Sequence, residues 1–548
     1  MRTSLFSCTS ILFVAPLAVA LGQWSSDPAA PLALCDAAAE QRYIHSVEDG
    51  AGGWFVFWLD KRDGDGYRAI YGQHLDADGY AQWPANGLLF VQQPGSNIND
   101  MDVETLNSGD LLLLYGRGSG GNMDTLETMR FDPDGMPVWT APTLIAIDSS
   151  PVLGFNDFAM QASGTGALIT YRATVSGGSE ITRVDRVNAD GSLAIGLNGQ
   201  SVNTSGYGPL DMVSDGNDGA IIVWRNGNGA GTHMGAYRID AQCTPLWTAV
   251  VDPVAGSSGL GWEYRATSDG QGGLAIAFVQ AGGGNGITFT RIDGDGNTAI
   301  TPAFKTVGDF ASGQDLPRIL LHDGYFFVGW EDNRPPAANS DLYMQKLDID
   351  GDPQWDPAGV LAVHVPTYIP STGIAPTDSG GVIVVQLGSS GGFVAQRVRS
   401  DGTSAWPAPV TLANSSIAPF YAEYQVRPHM DGGAVAFWYN NSSQDLFATH
   451  VNFNGVGGVT SGITEDDPDP ALFSVGPNPT NGRITVRTRK RSIGGSIALH
   501  DRTGGLVWKR PIADEVTELD TRSLAAGIYL IRVTGPSGAN SARTLVIE

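Results

Sequence analysis

Two stretches of the chain place an acid and a base at a fixed spacing after a tryptophan. Each stretch ends an apolar run. The two copies are Trp58-x-Asp60-x-Arg62 and Trp330-x-Asp332-x-Arg334. A carboxylate and a guanidinium at a strand end can bind a polar ligand, so Asp60, Arg62, Asp332 and Arg334 are candidate ligand-binding residues. We favour the structural alternative, in which the tryptophan packs in the core while the aspartate and the arginine hold the loop together.

The loop after the first tryptophan also offers oxygen ligands. Asp60, Asp63 and Asp65 could bind a calcium ion through their carboxylates. Four other turns read Asp-x-Asp-Gly, but they have only two carboxylates before the glycine and lack the bidentate glutamate of an EF-hand. These turns end at Gly79, Gly135, Gly296 and Gly351. We predict tight hairpins there. A structural calcium ion at the Asp60–Asp65 loop is the only cofactor that the sequence suggests.

Motifs for catalysis are sparse. No histidine belongs to a His-x-x-x-His or His-Glu pair, and we assign no nucleophile elbow and no phosphate-binding loop. His45, His322 and His429 fall in or beside predicted first strands, where we expect solvated or hydrogen-bonded rings. We therefore predict no catalytic residue. Carboxylates from different repeats could still meet and hydrolyse a glycoside, and this alternative stays open.

These residues belong to a repeat, of which the run from Glu48 to Trp83 is one copy. It contains a Gly-rich turn, an apolar strand, a polar loop, an alternating strand and an Asp/Gly turn. The turn residue recurs every 51–56 positions, at Gly79, Gly135, Gly191, Cys243, Gly296, Gly351, Gly402 and Gly455. Short strands repeated at such a period are typical of propeller blades. We predict an all-β fold in which residues 23–462 form an eight-bladed β-propeller.

The residues after the N-terminal apolar stretch resemble the end of a repeat. The Gln-Trp pair and the apolar strand of Gln23–Leu34 match those of Gln82–Phe90 and Gln354–Ala362. The three strands that precede this pattern elsewhere are missing here. We therefore expect the N-terminal strand to complete the eighth blade and to close the propeller, which would remove exposed sheet edges.

Charge and the N-terminus indicate an exported protein. The net charge of −25 argues against a nucleic-acid partner. Residues 1–22 are predicted to be a signal peptide, because an arginine precedes an apolar stretch that is too short to span a membrane. No transmembrane segment is predicted after its removal. Export permits disulfides, but Cys35 and Cys243 lie in distant repeats, and we predict that they do not pair.

A different segment follows the last repeat. A charged, proline-containing linker (463–472) leads into short alternating strands over 473–548, which predict a small β-sandwich. Its motif residues are Pro477, Asn478, Pro479, Gly482, Gly527 and Tyr529. The segment resembles the C-terminal sorting domain of the type IX secretion system. This resemblance implies Sec export to the periplasm, the type IX machinery as a partner, and a final location outside the cell or on the outer-membrane surface.

The W-x-D-x-R pattern resembles a repeat of β-propellers in secreted bacterial proteins. In the absence of a catalytic motif, we predict a non-enzymatic secreted or cell-surface propeller that binds a glycan or a surface protein. The alternative is a propeller-type polysaccharide hydrolase or lyase. Three or more carboxylates or histidines that converge in one mouth of the channel would favour the enzyme.

Overall fold

The computed structural model describes most of the chain from residue 23 onward. The described residues are 23–118, 123–148, 152–175, 180–202, 207–227, 231–281, 286–308, 313–334, 341–364, 372–377, 379–387, 392–414, 424–458, 473–476, 482–488, 493–500, 506–514, 516–522, 524–525, 527–534 and 540–547. They form strands, turns and loops, so this part of the chain is all-β. None of it is a helix that could cross a membrane.

Several predicted features lie outside the described residues. They are the signal peptide (1–22), the linker (463–472) and the motif residues Pro477, Asn478 and Pro479.

Strand β1 (Leu32–Cys35) is the first in the chain but belongs to the last sheet of the repeat region. The described residues of this region form eight antiparallel sheets; the strands of the first seven lie in chain order, and in the eighth β1 lies beside the last strand. Sheet 1 contains β2 (Gln41–Glu48), β3 (Trp54–Asp60), β4 (Ala69–Leu75) and β5 (Leu88–Val91); sheet 2 contains β6 (Asn97–Thr105), β7 (Leu111–Gly118), β8 (Thr125–Phe131) and β9 (Thr143–Ile147); sheet 3 contains β10 (Val152–Ser163), β11 (Gly166–Val175), β12 (Glu180–Val187) and β13 (Gln200–Ser201); sheet 4 contains β14 (Tyr207–Ser214), β15 (Ala220–Arg225) and β16 (Met234–Ile239).

The second half of the region repeats this plan. Sheet 5 contains β17 (Leu260–Ser268), β18 (Leu274–Gln280), β19 (Ile287–Ile292) and β20 (Lys305–Thr306); sheet 6 contains β21 (Gln314–His322), β22 (Tyr325–Asp332), β23 (Asp341–Leu347) and β24 (Val360–Val363); sheet 7 contains β25 (Thr372–Pro376), β26 (Val382–Leu387), β27 (Phe393–Val398) and β28 (Val410–Ala413); sheet 8 contains β29 (Tyr424–Pro428), β30 (Ala434–Tyr439), β31 (Leu446–Val451) and β1.

The second strand of a sheet is apolar because it is covered on both faces. Strands β3, β15, β26 and β30 are buried along their whole length. Apolar clusters join neighbouring sheets. One of them unites Trp58 of sheet 1 with Phe437 and Leu446 of sheet 8 and with Leu34 of β1. Burial of apolar surface between sheets is therefore what holds the repeats side by side.

The first strands of the sheets lie next to one another. The first strand of every sheet contacts that of the next sheet, and β29 of sheet 8 contacts β2 of sheet 1. The fold is therefore propeller-like. We call the surface formed by β2, β6, β10, β14, β17, β21, β25 and β29 the first-strand surface.

The turn that marks each repeat requires a left-handed backbone. Its φ angle lies between 63° and 87° at all eight anchor positions, of which seven are glycine. Cys243 takes this conformation in the fourth copy, at φ 63°. In the Asp-x-Asp-Gly turns the first carboxylate is bonded within the turn, as when Asp76 Oδ1 accepts from the amides of Asp78 and Tyr80. The predicted hairpin turns with a left-handed residue are confirmed.

A tryptophan joins four of these turns to the repeat before them. Its indole Nε1 donates to a carbonyl of the following turn. The pairs are Trp139 to Ala189 at 3.1 Å, Trp247 to Gly294 at 2.8 Å, Trp355 to Ser400 at 3.0 Å and Trp406 to Phe453 at 3.2 Å. The turn glycine lies against the same ring, and a Cβ added to Gly402 would come within 2.9 Å of Trp355.

The N-terminal segment makes the same contact with the first repeat. Trp24 Nε1 donates to Ala77 O at 2.8 Å. Strand β1 then pairs antiparallel with β31, with Leu32 opposite Ala448. The segment therefore touches sheet 1 through its tryptophan and extends sheet 8 through its strand.

The two described cysteines are unpaired and buried. Cys35 lies at the end of β1, and Cys243 lies in the turn after β16. Burial raises the pKa of Cys35 to about 11 and that of Cys243 to about 12, so both thiols stay protonated at neutral pH.

The C-terminal segment has a core of its own. One sheet orders its strands as β32 (Phe473–Gly476), β33 (Arg483–Thr488) and β36 (Val516–Asp520); the other orders them as β35 (Leu506–Pro511), β34 (Ser496–His500), β37 (Gly527–Thr534) and β38 (Asn540–Ile547). Ile484 and Leu519 of the first sheet join Leu499, Ile531 and Leu545 of the second in one buried cluster. The two sheets thus bury their apolar faces together.

Candidate functional site

The Asp60 side chain is fully buried, and protein donors occupy both of its oxygens. Trp58 Nε1 donates to Oδ2 at 2.8 Å, and Arg62 Nη2 donates to the same oxygen at 2.5 Å. The backbone amide of Arg62 donates to Oδ1 at 2.8 Å. The Arg62 guanidinium also lies 3.9 Å from the centre of the Tyr71 ring. The motif therefore closes on itself at the end of β3.

The second copy of the motif has the same geometry. Trp330 Nε1 and Arg334 Nη2 donate to Asp332 Oδ2 at 2.9 Å and 2.6 Å, and Gln314 Nε2 donates to the same oxygen at 2.9 Å. Burial raises the pKa of Asp332, but the hydrogen bonds from Arg334, Trp330 and Gln314 outweigh it, so the pKa lies below its ordinary value. The geometry supports the structural interpretation of all four candidates, since neither carboxylate faces solvent.

A neutral version of this brace occurs in sheet 4. Trp224 Nε1 donates to Asn226 Oδ1 at 2.8 Å, and Asn226 Nδ2 donates to Met234 O at 2.9 Å. Sheet 4 thus keeps the tryptophan and a hydrogen-bond acceptor two residues after it, although the charged pair of the motif is absent.

The carboxylates suggested for calcium do not gather around one point. Asp63 Oδ1 accepts from the Tyr71 hydroxyl at 3.3 Å, and Asp65 Oδ1 accepts from the Tyr67 amide at 2.9 Å. The Asp60 carboxylate is already paired with the Arg62 guanidinium. Among the described residues, the three-ligand group of metal-binding side chains lies elsewhere, at His429, Asp431 and His450. A calcium ion at the Asp60–Asp65 loop therefore gains no support from the geometry.

The first-strand surface carries several acidic and basic side chains. Asp100, Asp102 and Glu104 alternate with the buried Met101 and Val103 along β6. Acids of other sheets face the same surface, and we call Asp100, Asp102, Glu104, Asp157, Asp211 and Glu263 the first-strand acid cluster. Basic partners come from the same strands: His45, Arg265, Arg318 and Arg427. This mixture of acids and bases distinguishes the surface from the apolar interior around it.

Some of these acids hold neighbouring strands together. Asp102 Oδ2 accepts from the Met160 amide at 3.0 Å, and Asp157 Oδ2 accepts from the Leu210 amide at 2.9 Å. Gln425 of sheet 8 does the same for sheet 1, because its Oε1 accepts from the Ser46 amide at 2.8 Å. The first strand of a sheet has no strand beyond it, and these side chains therefore satisfy amides that would otherwise be unpaired.

A β-bulge near the start of the first strand redirects side chains on this surface. The register shifts at this point in the first strands of sheets 1 to 6. Tyr43 and Leu316 have φ angles of 58° and 51° beside their bulges. Bulges and left-handed non-glycine residues concentrate at functional sites. The first-strand surface is therefore the candidate functional site.

Two of its acids are protonated more readily than usual. Burial is the main cause that raises the pKa of Asp211 to about 6; the Met212 amide and Arg265 oppose this shift, and Asp102 and Asp157 add to it. Burial and then Asp102 raise the pKa of Glu104 to about 8, against the opposing charge of Arg427. Both side chains are partly accessible yet surrounded by protein, as expected for groups that line a narrow space.

The sequence interpretation missed a cluster of two histidines and an aspartate. His429 Nδ1 lies 2.8 Å from Asp431 Oδ1, and His450 Nε2 lies 3.0 Å from Asp431 Oδ2. The local signal was His429-x-Asp431, but His450 joins it only through the pairing of β30 with β31. Although burial raises the pKa of Asp431, its contacts with His429 and His450 lower it well below its usual range.

The described motif residues of the C-terminal segment have local structural roles. The amide of Thr521 donates to Gly482 O at 2.8 Å, which links the start of β33 to the end of β36. The Tyr529 hydroxyl donates to Ala525 O at 2.9 Å, two residues before Gly527 opens β37.

We predict that Asp60→Ala lowers the free energy of unfolding by about 3 kcal/mol, because it leaves Trp58 Nε1 and the Arg62 guanidinium without their buried acceptor. Asp63→Ala, in the same loop but exposed, should change it by less than about 1 kcal/mol. Urea denaturation of both variants measures the difference. Equal stability of the wild type and Asp60→Ala would contradict a bracing role.

We also predict a loss of stability with rising pH that depends on Glu104. Its pKa is higher in the folded chain, about 8, than the ordinary 4.5, so its contribution is fully present below pH 4.5 and is lost as pH rises through 8. Thermal melts from pH 6.5 to 8.5 should fall less steeply for Glu104→Gln than for the wild type.

Glu40→Gln is the matched control for this experiment. Burial raises the pKa of Glu40, but Lys61 and Arg68 outweigh it, so the pKa lies below its usual value and the group stays ionised throughout this range. Its melting curve should keep the wild-type slope. Parallel slopes for all three proteins would show that Glu104 does not titrate there.

Solved structures to which the chain is similar include two enzymes and a component of a secretion system. The chain is similar to the α-L-arabinofuranosidase Arb93A from Fusarium graminearum at 10% identity, over 66% of this chain and 94% of that chain, with a TM-score of 0.34. It is similar to an endo-arabinase from Bacteroides thetaiotaomicron at 13% identity, over 59% and 94%, with a TM-score of 0.26.

It is also similar to PorZ, an essential bacterial surface component of the type IX secretion system of Porphyromonas gingivalis. The identity is 11%, the coverage is 96% of this chain and 100% of that chain, and the TM-score is 0.21. No relative among the curated proteins matches the chain.

The C-terminal segment has a family assignment. Residues 474–548 match the family described as "Secretion system C-terminal sorting domain". The match includes the described motif residues Gly482, Gly527 and Tyr529. This segment is therefore a type IX sorting domain, and it indicates export of the chain to the cell surface or the extracellular space.

Proposed function

We propose that this exported chain is an eight-bladed β-propeller, closed by β1 and followed by a β-sandwich sorting domain, that binds a hydroxyl-rich ligand such as a glycan on its first-strand surface without cleaving it. We propose the domains that the sequence predicts: a signal peptide at 1–22, the propeller at 23–462, a linker at 463–472 and the sorting domain at 473–548. The type IX machinery would read the sorting domain, while the propeller would meet its ligand outside the cell.

One observation carries the binding proposal. The first-strand surface presents acids and arginines together, and several acids are oriented by bonds to neighbouring backbone amides, as Asp102 is by Met160 and Asp157 by Leu210. Fixed carboxylates and guanidiniums are suited to hydrogen-bond sugar hydroxyls, because they need little reordering when the ligand arrives.

The convergence of carboxylates from three sheets, Asp102, Asp157 and Asp211, is the kind of arrangement expected of an enzyme, and it favours the hydrolase as the second candidate. Glycoside hydrolysis needs one protonated and one ionised carboxyl group. Asp211, whose pKa is about 6, lies within the electrostatic influence of Asp102 and Asp157. In that case Asp211 would be the general acid, and the rate would fall as pH rises through about 6.

We expect the purified full chain to bind a subset of glycans on an array, and Asp211→Asn to weaken that binding by at least tenfold, because Asn cannot accept from two hydroxyls with full charge. Asp190→Asn, an equal change of charge in the exposed turn after β12, should leave the binding unchanged. Reducing-end release from the bound glycans is measured in parallel.

The outcomes separate the two candidates. Binding without sugar release supports the proposal. Sugar release that disappears in Asp211→Asn would replace it with the hydrolase. Binding that survives Asp211→Asn unchanged would remove the ligand from this part of the first-strand surface.

Substitution of two tryptophans in matched environments tests whether the N-terminal segment closes the propeller. Trp24 and Trp247 are each 4% exposed, and each donates Nε1 to a turn carbonyl at 2.8 Å. If β1 closes the propeller, Trp24→Ala and Trp247→Ala should lower the free energy of unfolding by similar amounts, about 3–5 kcal/mol. Calorimetric melts compare them. A strong loss for Trp247→Ala with none for Trp24→Ala would contradict closure.

A further inference from the structure

The cluster of His429, Asp431 and His450 is assembled by the first hairpin of sheet 8 and its partner strand. His429 follows the end of β29, Asp431 lies in the turn to β30, and His450 lies opposite Val435 in the ladder of β30 with β31. The two imidazole rings are 4.3 Å apart between centroids. His450 is 4% exposed at its side chain, whereas Asp431 is 38% exposed, so the cluster is buried on one side and open on the other.

The outer nitrogen of each ring faces a backbone carbonyl. His429 Nε2 lies 2.9 Å from Ala77 O, and His450 Nδ1 lies 3.1 Å from Gly458 O. A carbonyl can only accept a hydrogen bond, so each outer nitrogen must carry the proton. In the neutral rings, the inner nitrogens then carry lone pairs.

Those inner nitrogens point at an acceptor. His429 Nδ1 is 2.8 Å from Asp431 Oδ1, and His450 Nε2 is 3.0 Å from Asp431 Oδ2. His450 Nε2 is buried and makes no well-directed hydrogen bond there. When the rings are neutral, two lone pairs and a carboxylate meet at one point, so either a proton or a metal cation must lie between each ring and the carboxylate.

A divalent transition-metal ion would supply that charge with suitable geometry. Two imidazole nitrogens and one carboxylate oxygen form a common zinc ligand set. All three ligand atoms lie within 4.8 Å of one another. Zinc bonds of about 2.0–2.1 Å in a tetrahedron set ligand atoms roughly 3.3 Å apart, so only small side-chain movements are required. The carbonyl partners of the outer nitrogens match the outer shell that orients histidine ligands.

We propose that His429, Asp431 and His450 bind one zinc-like divalent ion, with the open side of Asp431 leaving a position for water. The ion lies where three parts of the chain meet. His429 contacts Ala77 in the turn of the first repeat, and the Trp24 ring lies 6.0 Å from the His450 ring. Occupancy would therefore fasten sheet 8 to the N-terminal segment and to sheet 1. The site is separate from the first-strand acid cluster.

The test uses the full chain after removal of metal with a chelator. Competition against a chromogenic zinc chelator should give one site per chain, and zinc should raise the melting temperature by several degrees. Cobalt(II) should give the absorption bands of a four-coordinate ion. His450→Gln and Asp431→Asn should each weaken zinc binding by at least tenfold. Calcium should not raise the melting temperature, because imidazole nitrogens are poor ligands for it.

His233→Gln is the matched control. His233 Nδ1 lies 2.6 Å from Asp252 Oδ2, which gives a His–Asp pair without membership of a three-ligand group. It should bind zinc like the wild type. The proposal is overturned if the wild type retains no zinc, if His233→Gln loses binding as the site variants do, or if calcium matches zinc. Because Asp431 is exposed, Asp431→Asn keeps the test decisive should His450→Gln fail to fold.

Discussion

The arrangement of the sheets depends on a tryptophan indole seated on the turn of the following repeat. The turn can receive the ring only because its anchor residue has a left-handed backbone and, in most copies, no side chain. Trp355 over Gly402 and Trp406 over Gly455 show the close approach, since a Cβ at either glycine would come within 2.9 Å of the indole. Each contact joins nearest neighbours alone, so the array is stable only if its two ends are also satisfied.

One segment of the chain contacts both ends of the array. Trp24 lies on the turn of the first repeat, and β1 lies along β31 of the last sheet. On the first strands, Gln425 bonds the Ser46 amide across the same junction. Two of these contacts, β1 with β31 and Gln425 with Ser46, bridge residues that are separated by most of the repeat region. The His429 cluster lies at this junction. An additional link here would close a long loop of chain and would therefore have the largest effect on the chain entropy that folding removes.

Features that depend on nearby residues could be predicted from the sequence. The left-handed turns follow from Asp and Gly at fixed offsets, and even Cys243 was placed correctly because it holds the glycine position in the period. The Asp60 and Asp332 braces bond residues two positions away, so a short motif contains them. The similarity of Gln23–Leu34 to the end of a repeat predicted that β1 would pair with the last copy.

Features that depend on distant residues could not be predicted. The first-strand acids look like ordinary polar positions of alternating strands, and their shared environment exists only when Asp102, Asp157 and Asp211 of three sheets come together. His429 lies 352 positions from Ala77, whose carbonyl determines which ring nitrogen of His429 carries the proton. The calcium interpretation gained no support, because Trp58 and Arg62 already donate to the Asp60 carboxylate.

Hydrogen exchange of the native full chain measures most directly whether the N-terminal strand completes the last sheet. Strands β24 and β28 are four-residue outer strands of ordinary repeats and serve as internal references. If β1 is the outer strand of sheet 8, the amides of Leu32–Cys35 that bond to β31 should exchange as slowly as those of the references. Exchange at the rate of an unstructured peptide in β1, while β24 and β28 stay protected, would contradict the account.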